Sequence, residues 1–347
     1  MNNVFRVQIA IVTGLWFAVF SWAQTHTTPL ASSDPNAPSA TSLEDFSTAS
    51  LDRSQLRADP PELVERSDGP GFTRDFLNVQ WRPGDNIYLY VVRPANVAKP
   101  PAVLYLYGHD SDTDRYQDDG WCTRATSGGY AAVGFVPALA GQRYHNRPMK
   151  QWFVSELQES LGKSAHDVQM VLNYLAERGD IDMNNIGMFG AEAGGTIAVL
   201  AASVDSRIKA IDLLDPWGDW PSWTAQSDVI PDEERPDYVK TEFLKKVADF
   251  DPLVVLPRLK SVRIRLIQLS EDEDATPAEA KNRMESALPA GAESRRFTSS
   301  VEFFGAVASG GRVFDWLKAQ IKPAGSQDVQ ASTGTAPAAS LEAGHVQ

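Results

Sequence analysis

Cysteine is nearly absent from this chain, since Cys122 is the only one among 347 residues. A single thiol cannot form an internal disulfide, so the hydrophobic core must stabilise the fold. Basic residues are also outnumbered, because 32 lysines and arginines stand against 45 aspartates and glutamates, for a net charge of −13. Nucleic acids bind basic surfaces, so we expect no nucleic-acid partner. Composition leaves the oligomeric state open.

Long apolar runs are missing except at the start of the chain. Arg6 supplies a positive charge, residues 7–20 are mostly apolar, and Ser21-Trp22-Ala23 has the small-x-small pattern of a cleavage site. We therefore predict a signal peptide over residues 1–23, cleaved near Ala23, and a secreted or periplasmic protein without a stable membrane anchor. An uncleaved anchor is the alternative, because the apolar run is nearly long enough to span a bilayer.

Two polar segments flank the remainder of the chain. Residues 24–61 and 324–347 are rich in serine, threonine, alanine and proline, and they carry too little apolar surface to fold alone. We expect both to be disordered. Residues 62–323 are long and hydrophobic enough to form one large domain.

Strand-like and helix-like segments alternate within this domain, which is typical of helices packed on both faces of a mostly parallel sheet. The pattern predicts a three-layer α/β/α sandwich with eight strands. Residues 216–250 are too long for a simple connection and predict a cap or insertion. The predicted strands are 72–81, 87–93, 102–107, 131–136, 185–189, 208–214, 262–269 and 293–297, and the predicted helices are 164–178, 196–203, 277–288 and 311–321.

The most informative motif is Gly190-x-Glu192-x-Gly194, which stands between a predicted strand and a predicted helix. It resembles the G-x-S-x-G nucleophile elbow of the α/β-hydrolase superfamily, with glutamate in place of serine. The approach over residues 161–187 and the stretch 204–210 resemble dienelactone-hydrolase-like and prolyl-peptidase-like members. This resemblance implies an α/β-hydrolase fold and a relationship to esterases.

The resemblance also implies the positions of the other site residues. Glu273, in the acidic run 271–274, matches the triad acid best, although that run also fits a plain charged surface. The backbone amides of Ala193 and of His109 or Asp110 match an oxyanion hole. Glu192 itself takes the nucleophile position.

The histidine base of such a triad is missing from its expected place. Residues 299–312 should carry it, and they contain no histidine. His109 and His145 lie in loops that could approach the site and are the alternative bases. His166 falls on the helix before the elbow, where a surface or packing role is more common. The two remaining histidines lie in the terminal segments.

Glu192 has three interpretations that the sequence leaves open. The positive end of the following helix favours an ionised carboxylate, which is a weak base near neutral pH. The side chain could cap local amides in a catalytically degenerate protein that binds a small molecule. It could instead act as the nucleophile of an active ester hydrolase, with Glu273 and a displaced histidine. In the third interpretation, the site around Glu192 neither binds a ligand nor catalyses a reaction.

Metal and cofactor chemistry finds little support in the sequence. The run Asp110-Ser-Asp112-Thr-Asp114 begins like a calcium loop, but Arg115 stands where glycine is required and Trp121 where glutamate is required. We interpret it as a solvated acidic loop and predict no metal and no cofactor.

Three tryptophans in the predicted cap mark a candidate pocket. Trp217, Trp220 and Trp223 could present indole faces to an apolar or sugar-like ligand. The alternative is that they pack the cap onto the sheet. The sequence does not decide between the two.

Overall fold

The computed structural model describes residues 44–54, 56, 60–107, 113–138, 143, 153–270, 275–310 and 312–322. The predicted signal peptide, residues 24–43 and residues 323–347 lie outside these ranges. Within them, no helix combines the length and hydropathy needed to cross a membrane.

The centre of the fold is a nine-stranded sheet with the spatial order β1-β2-β3-β5-β4-β6-β7-β8-β9. The first three strands are antiparallel to their neighbours, and β4 to β9 form a parallel block. The strands are β1 (Glu62–Gly69), β2 (Phe72–Gln80), β3 (Asn86–Pro94), β4 (Ala102–Leu106), β5 (Ala131–Phe135), β6 (Ile186–Ala191), β7 (Ile208–Leu214), β8 (Arg263–Leu269) and β9 (Glu293–Phe297).

Helices cover both faces of this sheet, so the predicted three-layer sandwich is confirmed. The predicted insertion after β7 contains three short helices, α4 to α6. The helices are α1 (Asp119–Thr126), α2 (Leu157–Arg178), α3 (Ala193–Val204), α4 (Trp220–Gln226), α5 (Arg235–Tyr238), α6 (Thr241–Val247), α7 (Pro252–Val255), α8 (Ala278–Ser286), α9 (Ser300–Gly310) and α10 (Arg312–Gln320). Short 3-10 helices span Leu51–Arg53, Asp114–Gln117, Phe153–Glu156, Ala248–Phe250 and Leu256–Arg258.

The sheet has one strand more than the predicted eight, and the extra strand is β1. It pairs antiparallel with β2 from Glu62 opposite Asn78 to Gly69 opposite Phe72. Most of its side chains are exposed, and its sequence is largely charged and polar. Hydrophobic alternation therefore could not reveal it, because an edge strand of this kind buries almost nothing.

The central strands β4, β5 and β6 are buried along their whole length, as expected of a sheet covered on both faces. One core cluster packs β-strand side chains against α2 and α3, and a second occupies the opposite face with α1. Cys122 is free and buried in the second cluster. Burial raises the pKa of its thiol, so the thiol is chemically inert in the folded protein.

Residues 44–54, which we name the strap, differ from the expected disorder of residues 24–61. The strap packs along α2, where the amide nitrogen of Leu51 donates to Gln169 (3.1 Å) and the Gln169 side chain donates to the carbonyl of Ala49 (2.7 Å). The carboxylate of Glu44 is buried and accepts from Arg82 at 2.5 and 2.6 Å. These polar contacts hold the strap together with Ala49 and Leu51, which pack against the hydrophobic core. Its composition hides this order, because few of its residues are apolar.

His166 fastens the strap from the side of α2. Its Nδ1 lies 2.7 Å from the Glu44 carboxylate and its Nε2 lies 2.9 Å from the carbonyl oxygen of Thr48. Both ring nitrogens therefore contact oxygen atoms of the strap. The sequence prediction of a packing role for His166 agrees with this position.

Acid is expected to release the strap. Burial alone would raise the pKa of Glu44, but hydrogen bonds from Arg82 and His166 outweigh it and hold this pKa below its usual value of 4.5. A carboxyl with a lowered pKa stabilises the fold above its unfolded-state pKa, and that contribution is lost as pH falls through the folded-state pKa. We expect the protection factor of the Leu51 amide to fall as pH drops through the lowered pKa of Glu44, before protection in the sheet falls.

Glu44→Gln tests whether protonation of Glu44 releases the strap, because this variant has no carboxyl at that position to titrate. Its strap should already be poorly protected at neutral pH, and its protection factor should not fall further over the acid range in which the wild-type strap opens. Strap protection in the wild type that is constant until the sheet itself opens would contradict the prediction.

Candidate functional site

The junction of β6 and α3 has the geometry of a nucleophile elbow. Glu192 lies between the two elements with φ 51° and ψ −120°, a conformation that is strained for any residue except glycine. Its amide donates to the carbonyl of Leu214 at 2.8 Å, and its own carbonyl accepts from the amide of Gly195 at 3.0 Å. The turn is therefore held on both sides by backbone hydrogen bonds.

The small residues around Glu192 are required by close backbone approaches. A Cβ atom at Gly190 would lie 2.4 Å from the carbonyl oxygen of Gly194, and one at Gly194 would lie 2.3 Å from that of Leu106. At Gly195 the obstacle is Pro216, at 2.9 Å. These contacts bring α3 close to β4 and β6, as the sequence motif predicts.

The Glu192 side chain is half-buried at the carboxyl end of β6. It makes no capping hydrogen bond to the first turn of α3, although Glu192 is the N-cap residue. The first turn of α3 is therefore not what the carboxylate caps, and its capping of other local amides stays a prediction. Its neighbour Ala193 is buried at the first position of the helix, as the elbow pattern requires.

Asp215 is a site residue that the sequence analysis missed. It directly follows β7, the strand beside the elbow, and has φ 43°. Its carboxylate accepts from the amide of Leu269 at the end of β8 (3.2 and 3.3 Å) and lies 3.4 Å from the ammonium group of Lys281. The signal was present, because an aspartate that follows an apolar strand after the elbow has the chain order of a triad acid.

Lys281 is buried and donates to the carbonyl of Leu269 at 2.5 Å. In a serine hydrolase the acid orients a histidine. Asp215, the acidic group that the structure describes beside the elbow, counts a lysine among its partners. Asp215 and Lys281 thus form a buried ion pair that joins the carboxyl ends of β7 and β8 to α8.

A second cation lies at the same edge of the sheet. Tyr107 follows β4, and the guanidinium of Arg115 lies over its ring at 3.2 Å from the centroid. The amide nitrogen of Tyr107 is 3.0 Å from the position that a Cβ at Gly194 would take, so this pair adjoins the elbow. The edge therefore presents carboxylates and cations together, an arrangement suited to binding a polar molecule.

Several predicted site residues lie outside the described ranges: His109, Asp110, His145 and Glu273. Their roles as alternative bases, oxyanion donor and triad acid stay predictions. Most of the acidic loop that begins at Asp110 is also outside them. Among the residues that the structure does describe, no group of three or more histidine, cysteine, aspartate or glutamate side chains is arranged to hold a metal ion.

In the described part of the chain, the connection after β9 is shorter than the histidine-bearing loop that the resemblance implies. β9 ends at Phe297 and α9 begins at Ser300, so only Thr298 and Ser299 join them. Of the five histidines in the sequence, the structure describes only His166, which is buried against the strap. Residues 299–312, where the resemblance places the histidine, contain none, and Ser300–Gly310 of this stretch form α9.

The three tryptophans of the cap lie in the core and not on an open surface. Trp217, Trp220 and Trp223 are each at most 1% exposed, and Trp223 contacts the other two rings at centroid distances of 5.1 and 5.5 Å. The Asp251 carboxylate accepts from the amides of Asp219 (2.8 Å) and Trp220 (2.9 Å), and burial raises its pKa. This arrangement agrees with the packing alternative and leaves no indole face open to a ligand.

Three features define an α/β-hydrolase fold: the strand order, the elbow between β6 and α3, and the helices on both faces of the sheet. Solved structures share it. Acetyl xylan esterase 1 from Thermoanaerobacterium sp. JW/SL YS485 matches with a TM-score of 0.55 and 12% identity over 76% of this chain and 88% of the other. The acetyl xylan esterase from Paenibacillus sp. R4 matches with a TM-score of 0.55 and 16% identity, over 79% of this chain and 91% of the other.

A prolyl endopeptidase also matches, with a TM-score of 0.52 and 14% identity over 72% of this chain and 39% of the other. At these identities the likeness establishes the fold alone, and function has to be argued from the site. Neither the family models nor the curated protein sequences gave a match to this chain.

Proposed function

We propose that this protein is a secreted α/β-hydrolase-fold protein that binds a small molecule at the carboxyl edge of its sheet and does not hydrolyse esters. The observation that carries the proposal is the elbow, which keeps its strained backbone but presents the carboxylate of Glu192. The turn positions a side chain for a ligand, and the side chain is a poor substitute for an activated hydroxyl.

The surroundings of Glu192 support this proposal. Hydrolysis of a covalent ester intermediate requires a base that activates water. The last strand passes into α9 without a histidine, and the acid beside the elbow contacts Lys281. A negative charge at the elbow would also repel the oxyanion that develops during acyl transfer, so the site disfavours that transition state.

A carboxylate-dependent hydrolase is the second candidate. Glu192 would attack the substrate, and His109 or His145 would activate water, with Glu273 as the supporting acid. Its favouring observation is that the strained elbow is retained, because strain of this kind persists where a side chain has to be held in place.

Ester hydrolysis by the mature protein separates the two candidates. We expect the wild type, Glu192→Gln and Glu192→Ser all to show only background rates on short-chain aryl esters and lactones. Glu192→Ser should gain nothing, because a serine hydroxyl without a base is a weak nucleophile. Wild-type turnover that is lost in Glu192→Gln and kept in the exposed control Glu242→Gln would establish the hydrolase instead.

Binding needs its own measurement, because an unused site would also give no turnover. Saturation-transfer NMR with the same esters should show contact in the wild type and a weaker signal in Glu192→Gln, whereas Glu242→Gln should match the wild type. Neither turnover nor contact would contradict the binding proposal. N-terminal sequencing of exported protein checks secretion, with Gln24 expected as the first residue.

A further inference from the structure

A groove separate from the elbow lies between the strap and the insertion. It encloses about 840 Å³ and is lined by the strap, the end of α6 and the last turn of α3. The elbow stands at the opposite end of α3, whose 12 residues place the two about 18 Å apart. The groove therefore cannot belong to the site described above.

The charges that line the groove are unlike those of the protein as a whole. Four cations, Arg53, Lys245, Lys246 and Arg258, face two acids, whereas the chain carries an overall charge of −13. Arg53 has a long contact with Asp45 at 3.8 Å, between exposed side chains. Lys245, Lys246 and Arg258 form no ion pair with any residue that the structure describes. This local positive charge is available to an anion.

Hydroxyl groups supply the second kind of contact. Thr48 and Ser50 line the groove, and each hydroxyl oxygen accepts from a strap amide, at 3.2 Å in both cases. An accepting hydroxyl keeps its own hydrogen to donate. The carboxamide of Gln158 adds donors and an acceptor, and the carboxylates of Asp52 and Asp249 can accept from the hydroxyls of a ligand.

Apolar contact is the minor component. Val204 is 37% exposed, and the other large apolar side chains that line the groove, among them Leu200, Phe250 and Leu259, are each at most 4% exposed. A fatty acid or another amphiphile would find little surface for its chain. The overall negative charge in turn disfavours a densely charged polyanion such as a nucleic acid.

We propose that this groove binds a short acidic oligosaccharide, with ligand carboxylates paired to Lys245, Lys246 and Arg258. The sugar hydroxyls exchange hydrogen bonds with Thr48, Ser50 and the two groove acids. The groove volume falls within the usual range of small-ligand sites, about 300–1,000 Å³. The strap forms one wall, so the Glu44 contacts that dock the strap also complete the groove.

Calorimetric titration with trigalacturonate tests the proposal, with the neutral galactotriose as the matched ligand. We expect the mature wild-type protein to bind trigalacturonate, more weakly as salt rises, and to bind the neutral trisaccharide at least about tenfold more weakly. The triple variant Lys245→Gln, Lys246→Gln, Arg258→Gln should lose at least about tenfold in affinity. Lys260→Gln, an exposed cation outside the groove, should bind like the wild type.

Each contrary outcome has a clear meaning. No binding by the wild type, or equal binding by the triple variant, overturns the groove as the site. Equal binding of the neutral trisaccharide overturns the role of charge. Inorganic phosphate that displaces trigalacturonate at equal concentration shows a non-selective anion site and overturns the carbohydrate assignment. These exposed substitutions leave the fold intact, which the thermal midpoint of each variant verifies.

Discussion

Gly194→Ala is expected to lower the free energy of unfolding by about 3 kcal/mol, at the upper end of the cost of overpacking. The added methyl group would lie 2.3 Å from the carbonyl oxygen of Leu106 and 2.6 Å from its carbonyl carbon. These atoms belong to the backbone of β4, which is paired on both sides and cannot withdraw. For a domain of this size the thermal midpoint should fall by roughly 6–12 °C.

Gly305→Ala is the matched control, since it makes the same chemical change in open space. Nothing lies within 4 Å of a Cβ at Gly305, an exposed position inside α9. Alanine has the higher helix propensity, so this variant should be stabilised by roughly 0.5–1 kcal/mol. Equal midpoints for the two variants would show that α3 does not approach β4 as described.

Asp167→Asn is expected to lower the free energy of unfolding by about 3–5 kcal/mol, because it removes the carboxylate that the buried Arg82 and Arg143 share. Asp167 is fully buried, and its carboxylate accepts from Arg82, from Arg143 at 2.5 Å and from the indole nitrogen of Trp81 at 2.9 Å. Burial alone would raise its pKa, but the two guanidinium groups outweigh this and lower the pKa to about 2. The carboxylate is therefore ionised throughout the physiological range.

Urea unfolding measures this loss as a lower midpoint with an unchanged slope. Asp237→Asn provides the comparison, because Asp237 pairs with Lys240 through side chains that are more than half exposed. Exposed pairs contribute about 0–1 kcal/mol, so this variant should unfold close to the wild type. An equally small loss of stability in Asp167→Asn would contradict this prediction. It would mean that water or a rearrangement of neighbouring side chains replaces the contacts that Arg82 and Arg143 lose.

The sequence predicted the features that depend on hydrophobic periodicity and on small residues. The buried strands and the elbow at Glu192 belong to this group, because a strand buried on both faces and a close backbone contact both leave a compositional mark. The helix before the elbow was found from residue 164, but it begins at Leu157. Its first turns carry Ser160, Gly162 and Lys163, which obscure the apolar stripe.

Features that depend on polar pairing over long sequence distances could not be predicted in the same way. The Glu44 carboxylate meets Arg82 and His166, which lie 38 and 122 residues away. No local pattern marks such a contact, so the strap shared the composition of the segment that precedes it. Asp215 differs, because its place directly after an apolar strand was a usable signal, and only its pairing with Lys281, 66 residues later, left no local mark.

The two outer strands of the sheet bear on how copies of the folded protein interact with one another. β1 carries Glu62, Glu65 and Arg66 and has a bulge between Leu63 and Glu65, and β9 carries Glu293, Arg295 and Arg296. Charges and bulges at such positions prevent another strand from docking in register. Each end of the sheet thus discourages fibril-like stacking of one copy of the protein on the next.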